Sequence, residues 1–133
     1  LAGQSGNTGC QALAVTLRGM TIGELKPGSH KALITKEAGL GLLNGAGVGI
    51  AAAIGMYVTA SSQSSQHALM LSFVVFAAMI GSCIASGLSG ALVPLTLKRL
   101  GFDPATASSI FLTTATDVVS MGMLLGLAAI LVR

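Results

Sequence analysis

In the run "TTATDVVSMG", Thr113 to Gly122, one carboxylate, Asp117, sits in the middle of a long apolar segment. The other acids and bases lie at the edges of apolar runs or between them. At helical spacing, Ile110, Thr113, Thr114, Ser120, Met121 and Leu124 share a face with Asp117. Ser109 and Thr106 carry the hydroxyl stripe one or two turns further toward the N-terminus, while Phe111, Leu112, Val119 and Leu125 fall on the opposite side. A carboxylate at the centre of a membrane helix costs about 2.5–3.5 kcal/mol on insertion scales. No Lys or Arg lies at comparable depth to pair with it. Two chemistries fit: a cation site on an ion path, or a protonated carboxyl bonding helices together. Intramembrane carboxylates mark ion or proton paths often enough to favour the first.

A second polar cluster opens the chain. In "GQSGNTGCQA", Gln4, Asn7, Thr8 and Gln11 are expected on one helical face, with Gly3, Gly6 and Gly9 on another. Such a segment either faces water with its amides or packs closely through glycine with amide–amide bonds. Spacing leaves both open.

The elements that position these residues follow from composition. Of 133 residues, 53% are hydrophobic and 8% charged, against about 25% charged in soluble domains. Mean hydropathy is +0.84. Eighteen glycines with 4% aromatics suit closely packed membrane helices better than a soluble core. Four apolar segments are expected: Leu1 to Leu17, Ala38 to Tyr57, Ala68 to Leu97 and Pro104 to Val132. The last two exceed the roughly 20 residues that cross a hydrocarbon core, so they should tilt, kink or protrude. The fold class is an all-α integral membrane protein with four transmembrane helices.

Arg18, Lys26, Lys31 and Lys36 fall between the first two segments, and Lys98 and Arg99 between the last two. The intervening "TASSQSSQH" has no Lys or Arg, so the basic loops are expected in the cytoplasm and both termini outside. In "KRLGFDPAT", Gly101 suits the left-handed position after a helix, Asp103 an N-cap and Pro104 the first helical position. Pro94 predicts a kink near Gly90. Gly41, Gly45 and Gly49, and likewise Ser82, Ser86 and Gly90, or Cys83 with Gly87, form small-residue faces for close packing. Asn44 is expected to clamp two helices. His30 is expected in a loop and His67 at a helix start, neither with a metal-ligand partner nearby in sequence.

Other classes are poorly served. The net charge of +3 comes from basic residues at segment ends, without interleaved aromatics, so no nucleic-acid partner is expected. Cys10 and Cys83 lie far apart and read as packed thiols. An intramembrane aspartyl protease needs two carboxylates, and no hydrolase or zinc-protease motif occurs, so no enzyme is expected.

The residues also carry a resemblance. "GNTGCQALAVTLRGM" resembles the "GNTGNQ" segment of the MgtE family of magnesium channels. "GALVPLTLKRLGFDPATASSIFLTTATDVVSMGMLL" is similar to that family's last two helices, including the Leu-Pro, the Asp-Pro turn and the Thr-x-x-Asp. The resemblance implies a homodimer with five helices per subunit, of which this chain supplies the second to fifth as a single transmembrane cation-transport domain. The first helix and any upstream cytoplasmic regulatory domains are then expected outside it. It also implies that Asp117 binds a hydrated divalent cation, Mg²⁺ foremost, on the pore axis. Asn7, Gln11, Ser109, Thr113, Thr114 and Ser120 are the expected pore-lining residues. Mg²⁺ keeps several waters and needs few carboxylates, which suits one Asp per subunit flanked by hydroxyls and amides. Three departures stand out: Cys10, Gly87 and Ser109 occupy positions where the family often has Asn. Fewer amides would loosen contacts with the ion's water shell and shift which divalent ion is preferred. A proton- or sodium-coupled carrier and a non-transporting assembly module remain the alternatives, in a multi-pass protein of the plasma membrane.

Overall fold

The computed structural model describes residues 1–25 and 30–132; Lys26, counted above among the loop charges, lies outside them. The chain forms four helices: α1, Ala2–Thr21; α2, His30–Ser62; α3, Ala68–Arg99; and α4, Pro104–Leu131. Among the described residues there is no strand.

The sequence places their ends. After α1, Gly23 takes φ +72° while Ile22 N–H returns to Arg18 O, which stops the helix. Gly101 does the same after α3 at φ +81°, with Phe102 N–H donating to Leu97 O. Asp103 then caps α4, accepting from Ala105 N–H at 3.1 Å and from the Thr106 hydroxyl at 2.5 Å. The Thr106 hydroxyl first, then the Ala105 amide, hold the Asp103 carboxyl below the usual carboxylate range. The tight turn, its cap and Pro104 at the first helical position stand as expected. α3 continues through the buried Pro94 without a break.

Two expectations are corrected. α2 begins eight residues before Ala38, so His30, Lys31 and Lys36 lie on its first turns rather than in a loop. That extension also brings Glu37 inside the helix. Lys31 and Lys36 are exposed on the extended helix, where long basic side chains can reach toward the headgroups. Second, α1 runs on to Thr21, past Leu17.

α2, α3 and α4 are each long and apolar enough to cross a bilayer; α1, with its amides and hydroxyls, falls short of them in apolar character. The 33 residues of α2 extend about 50 Å, beyond a core of roughly 30 Å. Large apolar side chains point outward on α2, α3 and α4, among them Leu43, Leu69, Ile110 and Val118, each more than two-thirds exposed. In water such a surface would aggregate; against lipid tails it is the ordinary outer face.

α3 is the hub. It packs against α1, α2 and α4, while α1 also meets α4 and scarcely touches α2. Small residues permit these contacts. A Cβ at Gly41 would stand 2.6 Å from Cys83 O, and one at Gly45 2.7 Å from Ile80 Cα. The α2–α3 seam is therefore backbone against backbone. Across α3, Gly90 meets Gly9 O and Ala12 of α1. The interior is built from alanine, serine and threonine as much as from large aliphatics. Ser5 Oγ and Ser120 Oγ are 2.6 Å apart, and the Ser86 hydroxyl donates to Ser5 O, tying α1, α3 and α4 at one level.

Gly45→Leu should pry α2 from α3, since the nearest atom is backbone and cannot rotate away. Overpacking of this kind costs about 1–3 kcal/mol or more. The detergent-solubilised variant should melt at clearly lower temperature than wild type, whereas Gly47→Leu, where a Cβ meets nothing within 4 Å, should melt alike.

Candidate cation site

α4 presents Asp117 because its helix is unbroken from the Asp103 cap onward, which sets the phase of the stripe. Thr113 lies one turn before Asp117, and Thr116 beside it. Facing them on α1 are Gly3, Gly6, Asn7 and Cys10. These seven positions need no special geometry: residues 3, 6, 7 and 10 follow the three–four spacing of one helical face, as do 113, 116 and 117. Between the helices is a groove of about 260 Å³. Gly3 and Gly6 keep its α1 wall low, since a Cβ at either would meet nothing within 4 Å.

Asp117 is exposed to this groove. The nearby hydroxyls do not hold it. Thr113 Oγ1 donates to Ser109 O at 2.9 Å, Thr114 Oγ1 to Ile110 O at 3.0 Å, and Thr116 Oγ1 to Thr113 O at 2.9 Å. With their protons committed to the backbone, these oxygens keep lone pairs for donors such as the waters of a hydrated cation. Among the described residues no three His, Cys, Asp or Glu side chains converge into a metal cage.

The structure separates the expected site residues. Asn7, Thr113 and Asp117 line the α1–α4 groove. Gln11 lies on the other flank of α1, in a crevice toward α2 with Thr8 and Asn44. Asn44 does clamp: its amide nitrogen donates to Thr8 Oγ1 at 3.4 Å. Ser109 and Thr114 are exposed on α4 outside the groove's lining. Ser120 is buried, 1% exposed, against Ser5, and serves packing within the subunit. The expected division of α1 is also revised. A three-residue step turns a helix by about 300°, so glycines at 3, 6 and 9 drift around it. Gly3 and Gly6 border the groove, while Gly9 is buried against Ser86 and Leu112. Leu112, expected on the side opposite Asp117, is 1% exposed and belongs to the core.

Thr116 escaped the sequence reading of the site. Cys10, expected as a packed thiol, is exposed and lines the groove, whereas Cys83 is buried. The available signal was its spacing: Cys10 falls three residues after Asn7 and seven after Gly3.

A carboxylate on a membrane helix, in a groove lined by hydroxyls and an amide, is a recurrent feature of ion-handling membrane proteins. The MgtE family, described as divalent cation transporter, matches residues 1–127, and the chain belongs to that family. It is similar to proteins named magnesium transporter MgtE from three bacteria. Identity is 35% over 133 residues with that of Enterococcus faecalis, covering the whole chain and 28% of the relative. With that of Bacillus subtilis it is 32% over 128 residues, covering 96% of the chain and 27% of the relative. With that of Thermus thermophilus it is 30% over 133 residues, again the whole chain and 28% of the relative. The chain thus spans a little over a quarter of the length of these relatives. The family is one of transporters, not enzymes.

The groove makes Cys10 a reporter of Asp117. A cationic methanethiosulfonate should modify Cys10 faster than a neutral one of similar size, because a carboxylate lines the same groove. Asp117→Asn should remove that preference, and Cys83 should stay unmodified in both proteins; mass spectrometry of the labelled peptides checks each outcome.

Proposed function

We propose that this chain carries divalent cations, Mg²⁺ foremost, across the membrane, with Asp117 binding the hydrated ion. The observation that carries the reading is the setting of Asp117: exposed in a groove beside Asn7, Thr113 and Thr116, with the neighbouring hydroxyls bonded back to their own helix. Six waters at about 30 Å³ each occupy about 180 Å³. A groove of about 260 Å³ therefore has room for a cation that keeps its water shell. Mg²⁺ gives up that shell reluctantly, so recognition through water by one carboxylate, an amide and hydroxyls suits it. The names of the relatives support the same ion.

The groove opens on one side of the subunit. In a symmetric homodimer two such faces would meet, bringing a second Asp117 to a common axis and closing the path. That dimer, the pore on its axis and the plasma membrane as its location are parts of the proposal, as is gating by regions of the full protein beyond this segment. The inter-helix interior does not need Asp117 as glue, because Ser5, Ser86 and Ser120 already bond α1, α3 and α4.

Asp117→Ala in the full-length protein should abolish Mg²⁺ uptake into proteoliposomes while leaving membrane insertion intact. Protons and cation compete for the same carboxylate oxygens, and Cys10 is the other titratable group lining the groove. Apparent Mg²⁺ affinity should thus weaken as pH falls in wild type and lose that dependence in Asp117→Asn. Wild-type uptake by Asp117→Ala would remove Asp117 from the path.

Orientation follows the basic residues, with the α1–α2 and α3–α4 connections cytoplasmic and the C-terminus outside. In a Cys10→Ser background, a cysteine at Ser62 should react with an impermeant reagent applied outside, and one at Glu24 only after the membrane is opened. The reverse pattern would invert the topology.

A further inference from the structure

A second carboxylate lies inside the helical body, outside the Asp117 groove. Glu37 begins the stripe Glu37, Gly41, Gly45, Gly49 that packs on α3. It is 4% exposed, and its Oε1 has no hydrogen-bond partner among the described residues. The stripe explains how it came to be buried. Glycines one, two and three turns further on draw α2 against α3, and Glu37 is carried in on the same face. Gly87 lets this happen, since a Cβ there would stand 2.9 Å from Glu37 O and 3.9 Å from the Thr8 methyl.

Glu37 borders the crevice between α1 and α2, about 380 Å³ in volume, which also receives Thr8, Gln11, Lys36 and Asn44. The crevice exists because both helices pack on α3 and scarcely on each other. Its polar donors are a carboxylate, two amides and a hydroxyl. Thr8 Oγ1 donates to Gln4 O at 3.2 Å and accepts from the Asn44 amide nitrogen, which leaves the Asn44 carbonyl oxygen as that side chain's acceptor. Neither sulfur nor imidazole lines the space, so the set is one for hard cations. A buried carboxylate oxygen without a donor is costly unless a cation or proton satisfies it. The volume exceeds the roughly 180 Å³ of six waters, so an ion can sit there without dehydrating.

We propose that the α1–α2 crevice is a second binding site for a hydrated divalent cation, with Glu37 its charged ligand and Gln11, Asn44 and Thr8 holding the ion's waters. It lies across α1 from the Asp117 groove and does not depend on the role given to Asp117. Lys36, exposed at the rim, repels a second cation and keeps the site weak.

The test uses the full-length protein in detergent with Asp117→Asn and Cys10→Ser, and Mn²⁺ as a paramagnetic probe. A nitroxide on Leu43→Cys, exposed on the crevice wall, reports ion arrival by line broadening. Broadening should saturate with Mn²⁺ and be reversed by excess Mg²⁺. Glu37→Gln, nearly isosteric, should weaken it about tenfold or more, because affinity in such sites follows the charge of the ligand set. Lys36→Gln should tighten it; if Glu37 instead served as an ion-pair partner of Lys36, that variant would lower thermal stability without tightening Mn²⁺ binding. No saturable broadening, or broadening unchanged by Glu37→Gln, would overturn the site. Repeating the titration with Asp117 restored separates the two proposals, since failure of the Asp117 reading leaves the Leu43 signal as it was.

Discussion

Helices in a bilayer gain little by burying apolar surface against one another, because the lipid tails are as apolar as leucine. Association then rests on how closely backbones can approach and on hydrogen bonds made between them. In this protein that constraint is met around α3, where Gly41, Gly45 and Gly87 admit α2 and Gly90 admits α1. The fully buried Ser82, Ser86, Ser108 and Ser120 occupy the volume that leucine would fill in a soluble core. Large aliphatics are displaced outward to the lipid.

Both polar spaces follow from this arrangement. When α1, α2 and α4 all seat on one central helix, α1 cannot also close fully on both neighbours. Its flanks stay open as a groove toward α4 and a crevice toward α2, and the polar residues of the opening segment divide between them. The two carboxylates differ in how they are held. Asp117 is open to its groove on a helix whose neighbouring hydroxyls are occupied by their own backbone. Glu37 is enclosed by the same glycine packing that holds α2 to α3. Among the described residues no side chain is hydrogen-bonded to Asp117, as the proposed passage of an ion would require.

Much of the molecule was legible before its fold. The apolar runs gave four helices, and the Gly101–Asp103–Pro104 turn gave the α3–α4 hairpin with its cap, because φ at glycine and proline and the Asp side chain act locally. That Asp117 and Thr113 share one face could be read from periodicity, since residues four apart on a helix share a face whatever surrounds it. Helix starts were less legible. Lys31, Lys36 and Glu37 look like loop residues when hydropathy is averaged, yet α2 carries all three, because long basic side chains can extend from a helix toward water.

Sequence alone determined the solvent, the number of apolar segments and which face of α4 bears the carboxylate, all consequences of composition and of a fixed helical repeat. Only the tertiary structure decided which polar residues meet. It placed Asn7 with Asp117 and Gln11 with Glu37, though Asn7 and Gln11 lie one turn apart on α1. It also turned Ser120 inward to Ser5 and Cys10 outward to the groove. The reason is geometric. Periodicity fixes the angles between side chains on one helix, but the neighbour each one faces depends on how the helices rotate about their own axes when they pack. Here that rotation was set by the glycines and serines against α3.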